Sequence, residues 1–183
     1  MSGVTFGDIF FIIMVGGGVY LILFFVNRSR SARLPKNAST ADIISDDTIL
    51  SILTENKTVA LVGASSDPSR PSHHVLEYLL REGYTVFPIN PLEEKILGHP
   101  VRKSLADLPQ HPEIVVVFRR PEHVPDITRQ AAAMKARVLW LQEGVISHEG
   151  LDTARSAGMA VVMDRCIRKE HRRLVGGHSD VGD

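Results

Sequence analysis

Two segments of the sequence combine small residues, hydroxyl groups and arginines in a pattern that suits phosphate groups. The first offers a glycine turn, three hydroxyls and one cation, at Gly63, Ala64, Ser65, Ser66, Arg70 and Ser72. The second places an aromatic ring and two fixed cations before a proline, at Phe118, Arg119, Arg120 and Pro121. A small-residue turn before a helix exposes N–H groups that bind anions, and arginine pairs with phosphate oxygens. Together the segments predict a phosphate-bearing ligand, although packing, capping and a solvated arginine would explain each one alone.

Two further polar segments follow apolar runs of the chain. Asn90 and Pro91 stand where an NAD site usually carries an acidic residue that holds the ribose. The amide in place of an acid disfavours a conventional NAD site, and a turn made by asparagine and proline is the alternative to ligand contact. Gln142 and Gly144 follow a later apolar run, where an amide and a close backbone approach would also suit a ligand.

The sequence predicts neither a catalytic residue nor a metal site. Its eight histidines follow no HExxH spacing, it has no GxSxG segment, and its single cysteine excludes an internal disulfide and a cysteine-based zinc site. Cys166 stands at the predicted start of the last helix, where the helix dipole and Arg165 would make its thiol reactive. A small buried residue at a helix start is the alternative. These features favour a binding protein over an enzyme.

The polar segments need a scaffold, and the apolar pattern predicts one. Five β-branched runs suit buried strands, at 59–63, 85–89, 113–118, 137–142 and 159–163. Helical patterns alternate with several of them, at 73–82, 121–135 and 148–157, and Asp46 or Asp47 would cap a short helix before the first run. This alternation predicts an α/β fold, doubly wound around a mainly parallel sheet. Such sheets bind ligands beyond the carboxyl ends of their strands, where the polar segments lie.

The N-terminal segment differs in composition from the predicted α/β domain. Residues 9–26 carry no charge, and as a helix they would be about 27 Å long, close to the roughly 30 Å hydrocarbon core of a bilayer. Asp8 precedes the run, which disfavours a cleaved signal peptide. Four cations follow it, at Arg28, Arg30, Arg33 and Lys36. The positive-inside rule then predicts a single-pass protein of the cell membrane, with the N-terminus outside and the later domain in the cytoplasm.

The predicted organisation has four parts: a transmembrane anchor at 1–27, a flexible basic linker at 28–41, an α/β domain at 42–174 and a disordered tail at 175–183. The net charge of zero hides an uneven distribution. Residues 1–36 hold four cations and one acid, and the remainder holds 17 cations and 20 acids. An acidic domain argues against binding to nucleic acid, so phosphate recognition has to rest on locally placed cations.

The chain also carries an ordered series of motifs: LVGAS, PINP, ILG, VVVFRRPE, VLWLQEG and VVMDRC. The series spans approximately residues 46–174 and resembles the small CoA-binding domain family, related to the CoA-binding domain of the succinyl-CoA synthetase α subunit. The resemblance implies a Rossmann-like fold that holds CoA or acyl-CoA across the strand ends. It assigns phosphates to the segment from Gly63 to Arg70 and adenosine to Asn90 and Pro91. It assigns the nucleotide and the pantetheine arm to Phe118, Arg119 and Pro121, with Gln142 and Gly144 farther along the arm.

Three functions are compatible with the sequence. The first is a membrane-anchored CoA or acyl-CoA binding protein with a regulatory or accessory role. The second is an NAD(P)-dependent oxidoreductase, and the third is an adaptor that binds only proteins. A protein partner or a homo-oligomer is also compatible, because Gly16, Gly17 and Gly18 would let a second helix approach closely.

Overall fold

The computed structural model describes residues 44–176, together with the backbone of two short strands near the N-terminus. These strands, β1 (Met14–Val15) and β2 (Gly18–Val19), pair antiparallel. They differ from the helix predicted over residues 9–26, a segment whose consecutive glycines are poor helix formers. The rest of the predicted anchor, the linker at 28–41 and residues 177–183 of the predicted tail lie outside the described residues. Within the described part of the chain, no helix has the length and apolarity to cross a bilayer.

Five parallel strands form the central sheet of the domain. They are β3 (Thr58–Val62), β4 (Thr85–Ile89), β7 (Ile114–Val117), β8 (Val138–Leu141) and β9 (Ala160–Val162). A small antiparallel hairpin of β5 (Lys95–Ile96) and β6 (His99–Pro100) follows β4. The order across the sheet is β4-β3-β7-β8-β9, and every neighbouring pair is parallel. The sheet confirms the predicted α/β, Rossmann-like fold.

Within residues 44–176, five helices flank the sheet: α1 (Asp46–Glu55), α2 (Pro71–Arg81), α3 (Val124–Ala133), α4 (His148–Ser156) and α5 (Ile167–Leu174). The prediction of one helix over 121–135 is wrong at its start, where Pro121–His123 form a separate 3₁₀ turn. Pro125 lacks an N–H and would clash with the carbonyl four residues earlier, so an α-helix cannot run unbroken through it. The cap of α1 also differs, because the Ser45 hydroxyl, not Asp46 or Asp47, accepts the Thr48 N–H at 3.2 Å.

The strands contribute alternately to two cores, because successive side chains of a strand point to opposite faces. Leu61, Val116 and Trp140 belong to the core covered by α1, α2 and α5. Ala60, Val115 and Leu139 belong to the core covered by α3 and α4. All four residues of β7 and all four of β8 are buried, as expected of central strands covered on both faces.

A buried histidine holds α5 against α2. His171 Nδ1 lies 2.9 Å from Tyr78 Oη, and the Tyr84 ring packs on the same imidazole with 5.5 Å between ring centroids. Burial lowers the pKa of His171, which favours the neutral imidazole in this contact. Arg173 makes a bidentate ion pair with Asp46 of α1 at 2.5 and 2.7 Å. These contacts fix α5 and, with it, the segment between β9 and α5.

The turn that leaves β3 passes close to the chain that leaves β7, and Gly63 lies at this point. Its φ of 89° lies in the left-handed region that favours glycine. A Cβ atom at this position would stand 2.5 Å from the carbonyl oxygen of Phe118, the residue that follows β7. The turn therefore requires glycine for two reasons, its backbone conformation and the approach of the neighbouring backbone.

We predict that Gly63→Ala lowers the free energy of unfolding by about 2–4 kcal/mol, because it combines backbone strain with a backbone clash. Gly158→Ala is the matched control, since Gly158 has a φ of 77° and nothing within 4 Å of the Cβ position. Its cost is expected to be only about 1–2 kcal/mol, from the left-handed backbone alone. Urea unfolding followed by circular dichroism measures both, and equal losses would contradict the close approach.

Candidate functional site

A cleft of about 790 Å³ opens beyond the carboxyl ends of β7 and β8. Its walls come from the start of α2, the segments that follow β7 and β8, and the start of α5. The cleft brings together five of the residues that the sequence predicted for ligand binding: Phe118, Arg119, Pro121, Gln142 and Gly144. It lies where ligands of doubly wound sheets bind.

Gln142 is a residue of the cleft whose hydrogen bonding is incomplete. The residue is only 3% exposed, and its amide Nε2 is buried without a partner in the part of the chain that the structure describes. The backbone around it is fixed, because its carbonyl accepts the Val145 N–H at 2.8 Å. Leaving a buried donor unpaired costs about 1–3 kcal/mol. An acceptor on a bound ligand would satisfy this donor.

The segment after β9 is anchored to the end of β8. Trp140 Nε1 donates to the carbonyl of Arg165 at 2.7 Å, and the Gly144 N–H donates to Asp164 Oδ1 at 2.7 Å. Trp140 is fully buried and packs in the core covered by α1, α2 and α5. The two bonds hold the start of α5 beside Gln142 as one wall of the cleft.

Positive charge dominates the lining of the cleft. It includes four cations, Arg119, Arg120, Arg168 and Lys169, and one carboxylate, Glu143. Lys169 is bound to Glu143 at 2.8 Å, a hydrogen bond that raises the pKa of the lysine. Arg119 is exposed and Arg168 half-buried, and neither has an ion pair within residues 44–176. The buried Nε of Arg168 also lacks a partner there. Such a set attracts an anionic ligand.

The segment predicted to bind phosphate after β3 lies beside the cleft, not in its lining. Gly63, Ala64, Ser65 and Ser66 form the turn, Arg70 and Ser72 flank the start of α2, and only Ser69 and Pro71 of this stretch line the cleft. The Ser66 N–H donates to the two carboxylate oxygens of Glu93, at 2.9 and 3.2 Å. The turn therefore binds an oxyanion, as its sequence predicts, but that oxyanion belongs to the protein.

The cation of this segment is also engaged locally. Arg70 lies 3.6 Å from Asp67, with 69% of its side chain exposed. Asp67 accepts hydrogen bonds from the backbone and the hydroxyl of Ser69, which hold the pKa of its carboxyl below the usual value. Ser72, a predicted hydroxyl donor, is buried at the start of α2.

Asn90 joins the turn after β4 to the turn after β3. Its Nδ2 donates to the carbonyl of Ala64 at 2.7 Å, and its Oδ1 accepts the Leu92 N–H at 2.9 Å. The second bond forms the turn that the sequence offered as the alternative to ligand contact. Asn90 and the exposed Pro91 do not line the cleft, although they stand at the same edge of the sheet.

Two cations of the cleft, Arg168 and Lys169, were not among the residues predicted from the sequence. Both follow β9, so attention to the residues after each strand would have found them. Arg165, which precedes Cys166, pairs its guanidinium with Glu170 at 3.5 Å. Cys166 itself precedes α5, as predicted, and lines the cleft.

Comparison with known proteins places this architecture in a family. Residues 57–172 match the family model described as CoA binding domain. The uncharacterized protein YneT of Bacillus subtilis is 35% identical over 123 residues, which are 67% of this chain and 91% of that protein. An ADP-forming acetate–CoA ligase of Archaeoglobus fulgidus is 25% identical over 96 residues, 51% of this chain but only 14% of the ligase.

Solved structures agree with the sequence matches. A hypothetical protein from Pyrococcus horikoshii OT3 is 38% identical, with a TM-score of 0.73 and coverage of 76% of this chain and 99% of that one. The similarity therefore spans nearly the whole of a small protein and only a short part of a large ligase. On these similarities, the chain belongs to the CoA binding domain family.

Proposed function

We propose that this protein binds CoA or acyl-CoA in the cleft beyond β7 and β8, and that it acts as an accessory or regulatory binding protein. The observation that carries the proposal is the combination of an unpaired buried amide, Gln142, with two cations that have no acidic partner among the described residues, Arg119 and Arg168. CoA carries a diphosphate and a 3′-phosphate, which need cations, and a pantetheine arm whose carbonyls accept hydrogen bonds.

The chemistry of the lining matches the two ends of such a ligand. Arg119 follows β7 in the lining of the cleft and is exposed, so it can bind phosphate oxygens without first losing an ion pair to the described residues. Gln142 is buried, and its amide suits the carbonyl of an uncharged arm. Phe118, half-buried beside Arg119, offers an apolar surface to the adenine or the arm.

Reversal of the charge at Arg119 tests the proposal. We expect Arg119→Glu to weaken CoA binding by at least about tenfold, because a charge-assisted hydrogen bond contributes about 1.5–3 kcal/mol and is replaced by repulsion. Isothermal titration calorimetry of the full chain measures the change. Arg155→Glu makes the same charge change in the last turn of α4, away from the lining of the cleft, and should leave the affinity within about twofold.

Other ligands in the same titration distinguish the alternatives. Binding of NAD or NADP in place of CoA would overturn the proposal in favour of an oxidoreductase. If neither nucleotide nor CoA binds, the proposal also fails, and an adaptor that binds only proteins takes its place.

Replacement of the unpaired amide gives a second test. We expect Gln142→Met to weaken CoA binding by about twofold to tenfold, because one hydrogen bond contributes about 0.5–1.5 kcal/mol. The same change should leave the free energy of unfolding equal or higher, since it removes a buried donor without a partner.

Thr128→Val is the control for Gln142→Met. The hydroxyl of Thr128 is equally buried but donates to the Val124 carbonyl at 2.8 Å. Its loss should lower stability and leave CoA affinity unchanged. A Gln142→Met protein that is less stable yet binds CoA normally would identify Gln142 as a structural residue.

We also propose that residues 9–26 anchor the protein in the cell membrane, with the N-terminus outside and the CoA-binding domain in the cytoplasm. The uncharged run of 18 residues and the four cations that follow it support this placement. A tethered domain of this kind would hold CoA or its thioesters near the membrane surface.

Removal of residues 1–36 tests the anchor. The shortened chain should remain in the supernatant when membranes are sedimented, whereas the full chain should sediment with them and resist washing with alkaline carbonate. Continued sedimentation of the shortened chain, or release of the full chain by carbonate, would contradict the anchor.

A further inference from the structure

The cleft contains a thiol in addition to its cations and its amide. Cys166 is half-buried, lines the cleft together with Gln142 and Arg168, and is the residue that precedes α5. It is also the single cysteine of the sequence, so it has no partner for a disulfide within the chain. Any disulfide it forms must join it to another molecule.

The backbone that carries Cys166 is held rigidly at the site. Trp140 Nε1 donates to the carbonyl of Arg165, immediately before Cys166, at 2.7 Å. The carboxylate of Asp164, whose φ is 58°, accepts the Gly144 N–H at 2.7 Å. Both bonds join the segment after β9 to the end of β8, so the thiol and the amide of Gln142 belong to one fixed wall.

Cys166 packs partly against the core covered by α1, α2 and α5. A residue in this position often caps the helix with its side chain, but Cys166 makes no such hydrogen bond. The same side chain also lines the cleft. Nε2 of Gln142, a residue only 3% exposed, lacks a partner within residues 44–176 and is independent evidence that a ligand reaches this wall.

We propose that Cys166 is a site of thiol–disulfide exchange with a CoA disulfide held in the cleft, an inference that rests on the proposed binding of CoA. The thiolate of Cys166 attacks one sulfur of the CoA disulfide. A new S–S bond joins Cys166 to one CoA, the original S–S bond breaks, and the other CoA leaves as a thiolate that takes up a proton. Free CoA or another thiol reverses the step by the same exchange.

The nucleotide part of the ligand gives this reaction its selectivity. Arg119 and Arg168 attract the phosphates, and binding then holds the disulfide at a high effective concentration beside the thiol. Pantethine has the same disulfide and arm but lacks the nucleotide. A cysteine that was merely accessible would react with both compounds at similar rates.

The experiment exposes the reduced full chain to CoA disulfide or to pantethine at equal concentrations and follows the intact mass with time. We expect addition of one CoA less two hydrogens, at least about tenfold faster than modification by pantethine. Dithiothreitol should reverse the addition, and 3′-phosphoadenosine 5′-phosphate should slow it. Cys166→Ser should gain no mass from either disulfide, and calorimetry of the unmodified protein under reducing conditions should show that it binds CoA.

The two measurements separate this inference from the function on which it rests. Normal CoA binding without an adduct at Cys166 would overturn the exchange and leave the CoA-binding proposal standing. Equal rates with CoA disulfide and pantethine would also overturn it, because the thiol would then be accessible without being directed. Absence of CoA binding in the reducing titration would overturn both.

Discussion

The candidate site depends on the reversal of strand order at the centre of the sheet. From β3 the chain crosses to β4 on one side and then returns to β7 on the other side. Crossovers between parallel strands are right-handed, so α2 and the later helix α3 must cover opposite faces, and they do belong to different cores. The segments after β3 and β7 therefore diverge above the sheet. Gly63 allows the two strands to stay close up to the point of divergence.

Much of this arrangement follows from local properties of the sequence. Buried strands are recognisable as β-branched runs, so the strand ends, and hence Phe118, Arg119, Gln142 and Gly144, could be placed from the sequence alone. Contacts between residues that are distant in the sequence could not be predicted in this way. The turn at Ser66 is filled by Glu93, which comes from beyond β4, and the sequence offers no sign of that contact. The sequence likewise could not reveal that Nε2 of Gln142 lacks a partner among the residues that the structure describes.

The cleft can be cationic in an acidic domain because carboxylates at α5 pair with other cations. Glu170, the acid closest in sequence to Arg168 and Lys169, bonds to Arg165 at 3.5 Å and to Arg173 at 2.6 Å. Asp46 is bound by Arg173 at the other end of α5, which holds the pKa of its carboxyl below the usual value. These pairs serve the packing of α5 and leave Arg168 and Arg119 available. The net charge of the domain therefore gives no information about the cleft.

The two neighbouring anion sites differ in what a ligand would have to displace. At Ser66, a phosphate must replace the carboxylate of Glu93, whose two oxygens already accept the N–H. At Arg119, by contrast, no acidic side chain of the described residues has to leave. Because the free energy of breaking the Ser66–Glu93 bond is subtracted from that of any new bond to phosphate, the first phosphate interactions should form with the cations of the cleft. The turn after β3 can contribute only after Glu93 has moved, so its effect on affinity should be smaller than its sequence suggests.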